Sequence, residues 1–360
     1  MDWTKIEDGQ TKSKYSWTEH CNRCFAPWLR YETGPSHVCR NVAWPSPGKL
    51  ENTALVDVLV LVSSASGNQA QRQGIRDTWG RASKNNTSNV RVVFVLGQSY
   101  SPDINHDIHR ETEEFCDIVQ GNFRDSYDNL TFSTITAVKY AVEMCSKARF
   151  VLKTDDDVWL NVPGLLDLLN RLDLTNTLGG HCYRGEYPRR INRHSKWFMS
   201  DQEYPRDVYP DYCAGVGYVM PMDVVRGIYH VSQDTPFFRI EDVFIGLCAE
   251  KMAYRVRQLP GFYTHRPSVD MCEMKMSHVI TSHSWTVSEM RTLWTDASDC
   301  SCPSYCRQMW LFLYCMALYC ILAAIFFHSR QSNPSSKRVT PFWSHVSRSR
   351  NNGTNETNVS

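Results

Sequence analysis

A charge of one sign is what this sequence most lacks: across 360 residues, 39 Lys and Arg stand against 38 Asp and Glu, a net charge of +1. So balanced a chain gives no electrostatic reason to expect nucleic acid or another polyanion as a partner. The first 50 residues lack an apolar run long enough for a signal peptide. Any translocation is therefore expected to depend on an anchor preceding this sequence or on a span near its C-terminal end. The 14 cysteines lack repeated Cys-x-x-Cys pairs of zinc spacing, which leaves disulfides of a secretory-pathway protein as the reading, with connectivity open. The lone Cys21-x-x-Cys24 is read with Cys39 as part of a stem, residues 1–50, rather than as a redox or zinc motif. Apolar residues are not scarce: 42% of the chain is hydrophobic and 12% aromatic, enough for a full core.

After the stem the pattern is that of an α/β domain. Val56 to Val62 (VDVLVLV) is a β-branched apolar run, as in a strand buried on both faces. Gln69 to Trp79 is long enough for a helix, Val90 to Leu96 reads as a second strand, and Asp117 to Val119 as a third. Leu130 to Ala148 sets Ile135, Val138, Val142 and Cys145 on one helical face. Leu165 to Leu172 continues the alternation, and Gly179 to Tyr212 reads as an irregular binding loop. In Tyr209 to Val219, Gly215 and Gly217 beside aromatics would let backbone and rings approach a ligand. Ile240 to Met252 is a helix with Glu241 and Asp242 at its start, where Asp242 could be an ordinary cap. Strands alternating with helices give a mostly parallel sheet, whose ligands sit at the carboxyl ends of the strands.

The stretch Arg149 to Asn161 (RFVLKTDDDVWLN) sends a buried strand into three carboxylates. Extended backbone would point Asp155 and Asp157 one way and Asp156 the other. Burying such charges unpaired is costly, so a hard divalent cation bridging a nucleotide diphosphate is one solution, and a solvated acidic turn is the plainer one. Far downstream, Met309 to Phe327 holds 19 residues without a charge, close to the length of a bilayer span, followed by a basic tail at 328–360. The positive-inside tendency places that tail in the cytosol and the preceding domain in the lumen. Asn85, Asn86 and Asn129 begin Asn-x-Ser/Thr acceptors that agree with this compartment.

Taken in order, the motifs resemble those of the inverting β-1,3-glycosyltransferases, and among them the β-1,3-galactosyltransferases, most like the type 5 group. They are Arg72 with Ile75-Arg76-Asp77-Thr78-Trp79, Phe94 to Gly97, Phe123 to Tyr127 with Asn129-Leu130-Thr131, Lys153 to Val158, Lys196-Trp197-Phe198, Tyr209-Pro210 with Cys213 to Tyr218, and Glu241 to Phe244 with Gly246 and Cys248. The resemblance covers about residues 51–297 and implies a GT-A type fold with a Rossmann-like sheet. It implies a UDP-sugar donor, UDP-galactose with UDP-N-acetylglucosamine as the alternative, and Mn²⁺. The acceptor would be a glycan on a glycoprotein or glycolipid, such as a terminal GlcNAc or GalNAc, and the address a Golgi apparatus membrane with the catalytic domain lumenal. Residues 298–308 then form a Cys-rich juxtamembrane linker.

Carried over position by position, Asp242 would be the general base, Asp155, Asp157 and His283 metal ligands, and Arg72, Arg76, Asp155 and Asp156 donor-binding residues. Trp79 would act at the donor site or as scaffold, while Trp197, Tyr218 and Glu241 would line the substrate pocket. Asn122 and Ser133 stand where the family usually carries Asp and Lys. A non-catalytic chaperone or lectin on the same scaffold should have lost the carboxylate cluster or Asp242, and both are present. A metal phosphohydrolase would want a second acidic site.

Overall fold

A computed structural model of the protein describes residues 29–39, 56–276, 278–295, 314–316 and 318–322. The chain divides into two compact units, Met1–Ser301 and Cys302–Ser360. Within the first, an eight-stranded sheet runs β1-β4-β3-β2-β5-β8-β7-β9. The strands are β1 (Tyr31–Thr33), β2 (Val58–Ser63), β3 (Val90–Gln98), β4 (Ile118–Arg124), β5 (Phe150–Asp155), β7 (Thr177–Tyr183), β8 (Tyr212–Pro221) and β9 (Arg255–Gln258). β6 (Trp159–Leu160) and β10 (Thr281–Ser282) form a separate antiparallel pair. The helices are α1 (Gln69–Asp77), α2 (Pro102–Phe115), α3 (Leu130–Met144), α4 (Val162–Arg171), α5 (Met222–Ser232), α6 (Glu241–Lys251) and α7 (Val287–Thr295).

The α/β expectation holds, with a mixed sheet. β4, β3, β2 and β5 run parallel, whereas β8 is antiparallel to both β5 and β7. β2 shows why its sequence is an unbroken apolar run: Leu59 and Leu61 enter the core on one face, Val58, Val60 and Val62 the core on the other. α3 departs from the one-faced helix expected, because ten of its residues from Thr131 to Ala141 are buried. It packs against α5 and α6 as well as the sheet, and its three threonines and one serine there are neutral enough to be enclosed. The irregular stretch is shorter than expected as well. Its first part, up to Tyr183, belongs to β7, whose run TLGGHCY has too little apolar alternation to be read as a strand.

Cys39 is disulfide-bonded to Cys145 and Cys182 to Cys213, and Cys272 is also disulfide-bonded. Cys21 and Cys24 lie outside the described residues. So does most of the 309–327 run, of which 314–316 and 318–322 are helical; among the described residues no helix is long and apolar enough to cross a membrane. Of the three glycosylation acceptors in the first unit, the Asn86 side chain bonds both Val92 N–H and Val92 C=O, and Asn129 donates to Arg124 C=O. Asn85 is exposed.

Candidate active site

The parallel strands β2 and β5 end at Ser63 and Asp155, and the antiparallel register Lys153↔Tyr218, Thr154↔Gly217 brings the start of β8 to the same end of the sheet. The first turn of α6 also reaches this end: Gly215 N–H donates to Asp242 Oδ2 at 3.3 Å. A cavity of about 540 Å³ opens there, lined among others by Asp155, Trp197, Tyr212, Glu241, Asp242 and His283. Its position is the one open α/β sheets favour for ligands.

Each of the three consecutive aspartates has a protein partner. Asp155 Oδ1 is 2.7 Å from Lys153 Nζ. Asp156 turns inward, accepting from Ser64 Oγ at 2.7 Å and Asn68 Nδ2 at 2.9 Å, and burial pushes its carboxyl up to about 6. Asp157 Oδ2 is 3.2 Å from His283 Nε2. The hydrogen bond to Asp157 raises the His283 pKa against the opposing effect of burial. The β6–β10 pair makes this meeting possible, since Ser282 opposite Trp159 carries the next residue, His283, to Asp157. Trp285 N–H then donates to Asp157 C=O at 2.9 Å.

Asp242 does not occupy the cap position that its segment alone suggests. The N-cap position is Ile240, so Asp242 is the second residue of α6. Its Oδ1 accepts from Val243 N–H at 2.9 Å. Burial, with neighbouring Glu241 adding its charge, raises the Asp242 pKa to about 7. Those are the attributes of a base poised near neutrality.

The remaining predicted site residues fall in two groups. Glu241 and Trp197 line the cavity with Asp242, Asp155 and His283. The Trp197 ring carries the Arg189 guanidinium at 4.6 Å and the Lys196 ammonium at 4.8 Å. Tyr218, 0% exposed, lies behind the wall and donates to Glu241 Oε1 at 2.5 Å. The arginines stand apart from the cavity lining. Arg72 is buried on Glu111 and donates to Ser64 Oγ at 3.1 Å, so it reaches Asp156 through that hydroxyl. Arg76 bridges Glu111 and Asp117 and lies over Phe94 and Phe115. Trp79, buried, donates from Nε1 to Val158 C=O at 3.0 Å, just past the aspartates. Asn122 is held by Arg30 N–H at 2.8 Å and Ser133 is buried in α3; neither lines the cavity.

Sequence reasoning missed Lys153 as a site residue, together with Tyr127, Tyr212 and Arg239, all on the cavity wall. For Lys153 a signal existed, because residues 153 and 155 of one strand share a face. Gly215 lines the cavity, as expected of a backbone that approaches a ligand, and both Gly215 and Gly217 also admit protein groups. A Cβ at Gly215 would come within 2.9 Å of Glu241 Oε2, and one at Gly217 within 2.9 Å of Thr281 Cγ2.

The Galactosyltransferase family model matches residues 70–260. The chain is similar to β-1,3-galactosyltransferase 5 of Mus musculus, 33% identical over 252 residues, 69% of this chain and 82% of that protein. It is similar to β-1,3-galactosyltransferase 1 of Mus musculus, 33% identical over 258 residues, 70% of this chain and 77% of that protein. Among solved structures, mannosyltransferase PcManGT from Pyrobaculum calidifontis in complex with GDP-Man and Mn²⁺ shares 14% identity at a TM-score of 0.37, covering 61% of this chain and 59% of that one. With the matched segment running from α1 through β9 and containing Lys153, the three aspartates and Asp242, the chain belongs to the galactosyltransferase family.

Proposed function

We propose that the protein is an inverting β-1,3-galactosyltransferase of GT-A type that moves galactose from UDP-galactose to a 3-hydroxyl of a terminal GlcNAc or GalNAc. The observation that carries the reading is Asp242: a half-buried carboxylate raised to about 7 in the wall of a cavity that also holds Asp155 and His283. In a single displacement the acceptor 3-hydroxyl gives its proton to Asp242 as its oxygen bonds to the galactose C1, and UDP leaves from the opposite face, inverting the anomeric centre. Aromatic rings at Tyr127, Trp197 and Tyr212 offer apolar faces for a sugar.

Asp157 and His283 are paired oxygen and nitrogen donors with side chains 41% and 32% exposed. Among the described residues no group of three His, Cys, Asp or Glu is gathered for a metal. Such a pair suits an ion that takes few protein ligands and fills its shell with phosphate oxygens and water. Mn²⁺ held by Asp157 and His283, with Asp155 alongside, would supply positive charge beside the departing diphosphate.

We place the enzyme in a Golgi membrane with this domain lumenal, a reading supported by the uncharged 309–327 run and the basic tail after it. Protease protection of the first unit in intact microsomes is the expected outcome, and its digestion without detergent would reject this topology. For the chemistry, the full chain in detergent with Mn²⁺ and a β-linked GlcNAc acceptor should transfer galactose from UDP-galactose. Transfer from UDP-N-acetylglucosamine alone would change the donor, and no transfer from either would return the scaffold to a binding role.

A further inference from the structure

One buried cation in the active site has no part in the chemistry above. Lys153, on β5, is 3% exposed. Its Nζ lies 2.7 Å from Asp155 Oδ1, 2.9 Å from Gly215 C=O and 3.4 Å from Glu241 Oε2. These three contacts reach the end of β5, the start of β8 and the first turn of α6, the three elements that meet under the cavity. A lysine that loses its water needs compensating partners, and this one has two carboxylates and a carbonyl. The two carboxylates lie on either side of the ammonium, at 2.7 and 3.4 Å.

Glu241 is fixed from both sides, with Tyr218 Oη–H on Oε1 and Lys153 on Oε2. Asp242 follows it on the helix and accepts from the N–H of Gly215, the same residue whose carbonyl Lys153 holds. Gly215 has no room for a side chain because Glu241 Oε2 would sit 2.9 Å from its Cβ. Two routes thus lead from Lys153 to Asp242, one through the Glu241 carboxylate and one through the Gly215 backbone.

We propose that Lys153 is a positioning residue that locks the donor-side carboxylate Asp155 to the acceptor-side pair Glu241 and Asp242, so that the base is held ready for the acceptor hydroxyl. The proposal rests on Asp242 being the base. Lys153 also screens Glu241, whose charge pushes the Asp242 pKa up. Groups that act electrostatically with Asp242 include Lys153 on β5, Glu241 on α6, Tyr212 and Tyr218 on β8, Tyr127 in the turn before α3 and Tyr209 in the preceding loop, and Asp155, Arg189, Lys196, Arg239 and His283 line the same cavity. Lys153 lowers the Asp242 pKa, so its loss moves the Asp242 titration upward.

The test uses the full chain and compares wild type, Lys153→Met, Lys153→Arg and Lys153→Met/Glu241→Gln with UDP-galactose and a β-linked GlcNAc acceptor. Lys153→Met should lower kcat roughly 10- to 100-fold, the scale on which supporting partners of site residues act, with acceptor KM within about threefold. The acidic limb of its kcat/KM profile should move to higher pH, a change that loosened packing alone would not produce. Lys153→Arg should keep most of kcat. The double variant, which removes the uncompensated Glu241 charge, should recover part of the loss and bring the limb back down. If Lys153→Met fails to fold, the double variant decides, because wild-type kcat in it overturns the proposal. So does a folded Lys153→Met with wild-type kcat and profile. Failure of wild type to transfer galactose would instead reject the functional reading, so the two outcomes remain distinct.

Discussion

A carboxylate raised to about 7 links stability and catalysis through one proton. Asp242 can accept a proton only when charged, so kcat/KM should rise with pH through about 7 and level off above it. Stability runs the other way. The folded-state pKa is raised above that of an unfolded Asp, about 3.9. Its contribution is therefore fully present below pH ~3.9 and is lost as pH rises through about 7. Asp242→Asn keeps the acceptor for Val243 N–H, replaces the oxygen facing Gly215 N–H at 3.3 Å with an amide donor, and carries no charge. It should cut turnover by roughly 10² to 10⁴ while leaving UDP binding largely intact. Its melting temperature should be no higher than wild type near pH 4, and the difference should turn in favour of the variant as pH rises to 8. Turnover close to wild type would remove Asp242 from the chemistry. Asp157→Ala addresses the other end of the cavity, where it strips His283 of its partner at 3.2 Å. Divalent-dependent transfer and UDP affinity should both be lost with the fold retained, and full transfer in EDTA would end the metal reading.

Pairing between distant elements, rather than any one of them, assembles the site. The acidic turn was legible because a short apolar strand runs into three aspartates, and α6 was legible as a helix opening on Glu241 and Asp242, though not as one buried on nearly every side. What the sequence concealed was company. Nothing near Asp157 announces His283, since a distant two-residue strand, Thr281–Ser282, delivers it by pairing with Trp159–Leu160. The inward turn of Asp156 was predictable from alternation, but its partners Ser64 and Asn68 belong to the loop after β2. Tyr218 was misread as a pocket wall because strand register alone decides which of two neighbouring residues faces the cavity. Trp79 illustrates the same dependence: it reads as a motif residue, and its work is to hold Val158 C=O beyond the aspartates. Trp79→Phe leaves that buried carbonyl without its donor and should cost about 1–3 kcal/mol. If the bond also orients the turn, UDP affinity in the presence of Mn²⁺ should fall with it, and calorimetry of the variant measures both quantities.

At the scale of the molecule, the two fully described disulfides lie at unlike distances from the chemistry, and that difference is testable. Cys39–Cys145 closes 106 residues and joins the segment after β1 to the end of α3. The same segment is already docked: Val38 is buried, its carbonyl accepts from Arg91 Nε at 2.6 Å, and Tyr140 Oη–H donates to Pro35 C=O at 2.6 Å. Removing this bridge therefore acts mainly by releasing the unfolded chain, and Cys39→Ala/Cys145→Ala should lose about 2–5 kcal/mol. Below its melting transition the double variant should keep wild-type kcat and KM, since none of these residues lines the cavity. Cys182–Cys213 instead ties β7 to β8 beside the paired Tyr183 and Tyr212, whose rings do line it, 5.3 Å apart. The strands are hydrogen-bonded there without the bridge, and its loop is only 31 residues, so the stability lost should be the smaller of the two. Its loss should appear in acceptor KM, as the two tyrosines cease to hold one wall in register. Equal kinetic damage from both variants would mean that the far edge of the sheet, and not the β7–β8 seam, governs the shape of the acceptor wall.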